Sequence, residues 1–231
     1  MDEAPSGRKA GSAREPVHDR IYDRLKARLI TGGFMPGRAV TLRGLAEELG
    51  VSLTPVRAAL ARLSAERALD TRASRRVSVP TMTPARFSEL MTARQLLEPE
   101  AAARALPFIT PEKLAEIRSY DLALEAAIER GDVESYMVNN HAFHFALYSA
   151  GSSTSVLLPL IEMLWMQFGP FMRVVYGRLG TTNLVDQHRE ALAALEARDE
   201  TALRAAISAD IGDGMSLIGT GLLEEAPPKR K

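Results

Sequence analysis

Two groups of residues in this chain of 231 amino acids have types and spacings that can do chemistry. The first is Ser52, Thr54 and Arg57, two hydroxyls and a guanidinium within six positions. At the start of a helix the hydroxyls can donate to phosphate, where the helix dipole also favours anions, and the arginine can reach a guanine edge or a phosphate. The second is three of the four histidines, at 141, 144 and 188. Asn140 and His144 are four apart and share a helix face, the spacing at which two side chains converge on one ion. His141 sits about 100° round the helix from Asn140 and stays outside that set. There is no cysteine, which excludes disulfides, thiolate metal sites and cysteine nucleophiles. Neither an HExxH pairing nor a nucleophile elbow occurs.

Both groups need a folded scaffold, and the composition provides for one. Apolar residues are 46% and charged residues 25%, the balance of a globular protein. The longest apolar stretch, Val156 to Met166, is broken by Pro159 and Glu162, short of the ~18 residues a membrane span needs. The polar start MDEAPSGRKAGSAREP lacks the apolar core of a secretory signal, so a cytoplasmic protein is expected. Net charge is zero but divided: up to Pro80 there are 15 Lys and Arg against 9 Asp and Glu, and beyond it 14 against 20. A basic first third on an acidic remainder fits one part that meets a polyanion and one that does not.

The elements follow from periodicity and punctuation. Residues 1–15 and 220–231 have no apolar period and read as a disordered arm and tail. Ile21, Leu25 and Leu29 set a first helix over about 18–31, stopped at Gly32-Gly33. Leu42, Leu45, Ala46 and Leu49 give a second, ending at Gly50; Ser52 can cap a third, which buries Val56, Ala59, Leu60 and Leu63. Positions 54, 57, 58 and 61 then point outward, and two alanines among them let a helix come close to base edges. Two short helices about a tight turn are a helix-turn-helix, and residues 68–80 read as a two-stranded wing. A linker at 81–84 follows. The rest reads as six helices, at about 84–106, 111–130, 133–150, 153–178, 182–198 and 200–218, with kinks or breaks expected at Pro99 and Gly169-Pro170. The fold class is therefore mainly α, a winged helix-turn-helix over 16–80 followed by an antiparallel bundle over 85–219. The stretch Trp165, Met166, Phe168, Phe171, Met172 reads as core or dimer interface.

Residues 18–80 resemble the winged helix-turn-helix of the GntR family of bacterial transcription regulators, through Pro36-Gly37, Leu45-Ala46, Leu49-Gly50-Val51-Ser52, Thr54-Pro55-Val56-Arg57 and Ala59-Leu60. The resemblance implies DNA contacts at Arg43, Ser52, Thr54 and Arg57. It departs at Arg67, where the family usually has glycine, and in the wing, where Arg75 and Arg76 add charge that can grip a minor groove or phosphates.

Residues 84–218 are similar to the helical effector-binding domain of the FadR-type branch, through Arg94-x-x-x-Glu98, Asn140-x-x-Phe143-His144, Gln187-His188-Arg189 and Arg198-Asp199. That similarity implies a divalent metal, zinc, nickel or manganese, on Asn140, His144, His188 and Asp210, the last standing where the family has histidine. It further implies a small organic acid as effector, with Arg94 as the clamp and Arg173 as a second candidate; an ion pair with Glu98 is the simpler role for Arg94. The expected protein is a homodimeric regulator whose affinity for a near-palindromic double-stranded operator responds to ligand. A regulator that senses the metal itself, and a metal-dependent hydrolase or lyase using His144, His188 and Asp210, are the alternatives.

Overall fold

The computed structural model describes residues 16–36, 39–71, 76–151, 154–179 and 187–224, without the side chains of 71, 178, 179 and 213–224. The arm, Gly37, Arg75, residues 180–186 and the last seven positions lie outside the described residues.

Helix α1, Val17–Ile30, buries Ile21, Tyr22, Leu25, Leu29 and Ile30 against α3 and ends in a turn through Gly32 at φ +72°. Helix α2, Leu42–Leu49, is capped by the Thr41 hydroxyl, which accepts from Gly44 N, and is closed by left-handed Gly50. Helix α3, Leu53–Ala65, starts after Ser52, whose side chain makes no capping bond. It buries Val56, Ala59, Leu60 and Leu63, the stripe that periodicity predicts. Tyr22 of α1 donates to Glu66 Oε2 at 2.8 Å, and the Arg62 guanidinium lies 3.6 Å over the Tyr22 ring. These contacts pin α1 to the end of α3.

The wing strands β2, Asp70–Thr71, and β3, Arg76–Ser78, pair antiparallel with Asp70 opposite Ser78. A third strand, which the sequence does not announce, completes the sheet: β1, Val40–Thr41, pairs with the other edge of β3, Val40 opposite Val77. Two residues are too few to show an alternating pattern. Arg67 holds φ +58°, the left-handed conformation glycine would adopt freely at this position. The turn compensates with a 3.0 Å bond from Ala68 N to the Leu63 carbonyl.

Six helices follow: α4 Pro84–Ala105, α5 Pro111–Arg130, α6 Val133–Tyr148, α7 Leu157–Leu179, α8 His188–Ala197 and α9 Glu200–Glu224. Thr83, Thr110 and Asp132 cap α4, α5 and α6 through side-chain oxygens. Helix α4 lies in the middle, packed on α6, α7 and α9, while α5 pairs with α6 and α8 with α9. Of the kinks or breaks expected at the prolines, the breaks are absent: α4 runs through Pro99 and α7 through Pro170 as single helices. Packing on several neighbours outweighs the one backbone bond each proline removes. Helix α9 also passes the expected end at 218 and runs to Glu224. Trp165, Met166, Phe168, Phe171 and Met172 are all core.

Leu63 is fully buried where α3 meets the first core. Leu63→Ala is expected to cost about 2–5 kcal/mol, read as a lower urea midpoint of the first unfolding transition.

Candidate nucleic-acid interface and metal centre

The outward face of α3 is as the periodicity requires: Ser52, Thr54, Arg57, Ala58 and Ala61 are exposed. Arg43 on α2 and Arg76 on β3 are exposed too. Two other arginines of this domain are tied down, Arg28 to Glu48 at 2.7 Å and Arg62 to Glu66 at 3.2 Å. Arg43, Arg57 and Arg76 have no ion-pair partner among the described residues, so their charge remains available to an external anion. Arg75 lies outside the described residues.

In the second domain the structure brings together His144 from α6, His188 from the first turn of α8 and Asp210 from α9. His144 Nε2 is 3.4 Å from His188 Nε2 and 3.2 Å from Asp210 Oδ2, and His188 Nε2 is 3.8 Å from Asp210 Oδ1. The histidines are 1% and 0% exposed and the Asp210 side chain 13%, so the imidazoles are shut off from solvent while the carboxylate keeps a narrow edge toward it. Burial alone would raise the Asp210 carboxyl, but the His144 hydrogen bond and the charges of His188 and His144 hold it below the usual carboxylate range. Gln187 N also donates to Asp210, at 3.2 Å.

A second layer stands behind both imidazoles. Glu98 is fully buried and receives Arg94 Nε at 2.5 Å, Trp165 Nε1 at 3.1 Å and the Tyr148 hydroxyl at 2.9 Å. Burial, followed by the Glu98 charge, pushes Tyr148 well above its ordinary range, so its proton stays on the oxygen. That proton goes to Glu98, and Tyr148 must accept from His144 Nδ1, 2.9 Å away. His144 therefore carries hydrogen on Nδ1 and turns Nε2 to the trio. Asp121 Oδ1 stands 3.3 Å from His188 Nδ1, within ion-pair distance, and sets a negative charge behind that ring.

Charge completes the fit to a metal. Arg94 balances Glu98, which leaves the carboxylates of Asp121 and Asp210 around two imidazoles. Two protons or one divalent cation would neutralise them. Two Nε2 atoms and one carboxylate are a donor set suited to zinc, nickel or manganese, and such an ion would act as a Lewis acid toward a bound carboxylate.

The other expected members are placed less directly. Asn140 lies one turn before His144, partly buried, and its amide makes no hydrogen bond among the described residues. Arg94 is buried, with Nε and Nη2 on Glu98 and its guanidinium carbon 4.6 Å from the Trp165 ring centre. The ion pair with Glu98 is thus formed. Arg173 lies on another side of α7, its Cβ against Gly32, and its buried Nη1 has no hydrogen-bond partner among the described residues.

Sequence reading missed Tyr148, Asp121 and the hub role of Glu98. Tyr148 is four residues after His144, hence on its face. Asp121 occupies the apolar stripe of Ile117 and Leu124 on α5, an acid where a core residue belongs. His141, stacked on Phe145 at 4.2 Å, is pushed down to about 4 by burial and then by the positive charges of His144 and Lys26.

Comparisons place the chain among gene regulators. The profile of bacterial regulatory proteins of the gntR family matches residues 17–79, and that of the FCD domain matches residues 89–213. The chain belongs to the GntR family, in the branch that carries an FCD domain. It is 34% identical over 188 residues to the HTH-type transcriptional regulator McbR of Escherichia coli, covering 80% of this chain and 85% of McbR. A second relative, from Agrobacterium vitis, is an HTH-type transcriptional regulator 28% identical over 57% of this chain and 78% of its own. The structure of E. coli McbR/YncC superposes with a TM-score of 0.84 at 29% identity, covering 90% of this chain and 99% of that one. A GntR structure from a Rhodococcus species shares the fold, with a TM-score of 0.70 at 20% identity over 88% and 97% of the two chains. The chain is a transcriptional regulator and not an enzyme. No helix among the described residues is long and apolar enough to cross a membrane.

Tyr148→Phe removes the acceptor that orients His144 while keeping the ring. Zinc affinity, measured by chelator competition, is expected to fall about 10–100-fold, with the helical content unchanged.

Proposed function

We propose that this protein is a cytoplasmic, homodimeric regulator whose affinity for a near-palindromic operator is set by a small carboxylate bound at a metal on His144, His188 and Asp210. The observation that carries the reading is the convergence of two buried Nε2 atoms and the Asp210 carboxylate in the FCD domain, on a chain whose other domain presents Arg57 with no ion-pair partner among the described residues. Asn140 is the fourth candidate ligand. Arg94, with Nη1 outside its Glu98 bonds, is the favoured clamp for the effector's carboxylate, and Arg173 the second. In the dimer two α3 helices enter successive major grooves about one helical turn apart, and ligand shifts the population toward a separation that does not fit. Arg43, Ser52, Thr54, Arg57, Arg75 and Arg76 are the proposed DNA contacts, and repression relieved by ligand is the proposed output.

A second reading follows from the 0–1% exposure of the two histidines. An ion can occupy so closed a site without an organic partner, and the metal itself would then be the signal.

The test is elemental analysis of untagged protein purified without chelator, followed by band-shift titration. About one transition-metal ion per protomer supports the metal site, and none removes it. With metal bound, a change in DNA affinity from the ion alone selects the metal-sensing reading, whereas a change only after adding a carboxylate selects the first. Arg57→Ala is expected to abolish specific binding to a selected duplex with fold and dimer intact; retained nanomolar specificity would remove α3 as the reading element. Replacing Arg75 and Arg76 together should reduce the salt slope of binding by roughly 1–2.

A further inference from the structure

We infer that α7 couples the buried histidine centre to the reading helix through two side-chain pins and a backbone contact, an inference that rests on the ligand-responsive reading above. Helix α7 has two working faces. Glu162, Gly169 and Arg173, seven and four residues apart, form one stripe, and Trp165 and Phe168 lie on another.

The first stripe meets α1. Lys26 Nζ lies 3.2 Å from Glu162 Oε2. A Cβ on Gly169 would overlap the carbonyl oxygens of Leu29 and Ile30, so the α7 backbone rests directly on the last turn of α1. A Cβ on Gly32 would likewise overlap that of Arg173. No long side chain cushions this contact, so displacement of one helix moves the other.

The second face meets the centre. Trp165 donates to Glu98, and its ring is 5.3 Å from the His144 ring; Phe168 lies 4.9 Å under the Arg94 guanidinium. A ligand that draws Arg94 from Glu98, or an ion that draws in His144, changes what holds Trp165.

The second pin is Arg86, on the first turn of α4. Its Nη2 donates to Gln167 Oε1 at 2.7 Å and to the Arg67 carbonyl at 3.3 Å. Arg67 is the left-handed residue that closes α3. One guanidinium thus bridges α7 and the end of the reading helix. Helix α7 is thus an element whose position both sites can bias, which is the physical requirement for coupling.

Trp165 is the only tryptophan in the chain, so its emission reports on the junction directly. The first measurement uses metal-free protein and a duplex selected by the protein from a random pool. Saturating duplex is expected to shift Trp165 emission in the wild type, and a Lys26→Ala/Gln167→Ala variant that still binds the duplex should lose more than half of the shift. An unmoved wild-type emission, or an equal shift in the variant, overturns the coupling. If the double variant fails to fold by circular dichroism, Glu162→Gln, which keeps shape and removes the charge, takes its place.

The second measurement uses zinc alone as probe. Zinc should change the duplex Kd by at least about fivefold in the wild type and by less than about twofold in the variant. Bound zinc with equal effects in both overturns the coupling and leaves the metal site standing. If no zinc binds, the metal reading fails and the metal-free measurement decides the coupling.

Discussion

The second domain depends on one buried charge. Glu98 has no exposure, and an ionised carboxylate removed from water is tolerable only when its oxygens are fully engaged. Arg94, Tyr148 and Trp165 supply that engagement from α4, α6 and α7. Satisfying this group therefore fixes the relative position of three helices. It also determines the tautomer of His144, because Tyr148 has only one proton to give. The need to solvate one acid and the readiness of a histidine to bind an ion are the same constraint seen from two ends.

The first domain is built on the opposite principle. Its polar ties, Tyr22 to Glu66 and Arg28 to Glu48, lie at the edges of an apolar core and hold α1 against α3 and α2 without burying an isolated charge. Arg43, Arg57 and Arg76, which face outward from α2, α3 and β3, have no ion-pair partner among the described residues. A domain that kept its arginines in internal salt bridges would have little left to attract phosphate.

Legibility in the sequence follows from how local each determinant is. The helix-turn-helix was readable because the buried stripe of α3 and the left-handed Gly50 act within one or two turns, and the exposure of Arg57 follows from the same period. Six bundle helices were readable from caps such as Thr110 and Asp132. Strand β1 was not, since its two residues become a strand only through β3, some 35 positions on. At the metal centre, Asn140 and His144 share a helix and could be paired by spacing; His188 and Asp210 came only through family resemblance. The support from Asp121, Tyr148 and Trp165 depends on packing across helices. At Pro99 and Pro170 helix continuity likewise depends on tertiary contacts, which carry α4 and α7 past a local preference for a break.

The composition of the α3 face bears on how much information the protein can read. Beyond two hydroxyls and two alanines it offers a single long side chain, Arg57. One bidentate arginine discriminates against a wrong base by about 1–3 kcal/mol, whereas specific sites are typically preferred over random duplex by about 4–10 kcal/mol. Even the two such faces of the proposed dimer fall toward the low end of that range. Much of the remaining preference must then lie in groove width and duplex stiffness, so that bases the protein never touches would count in its choice of site.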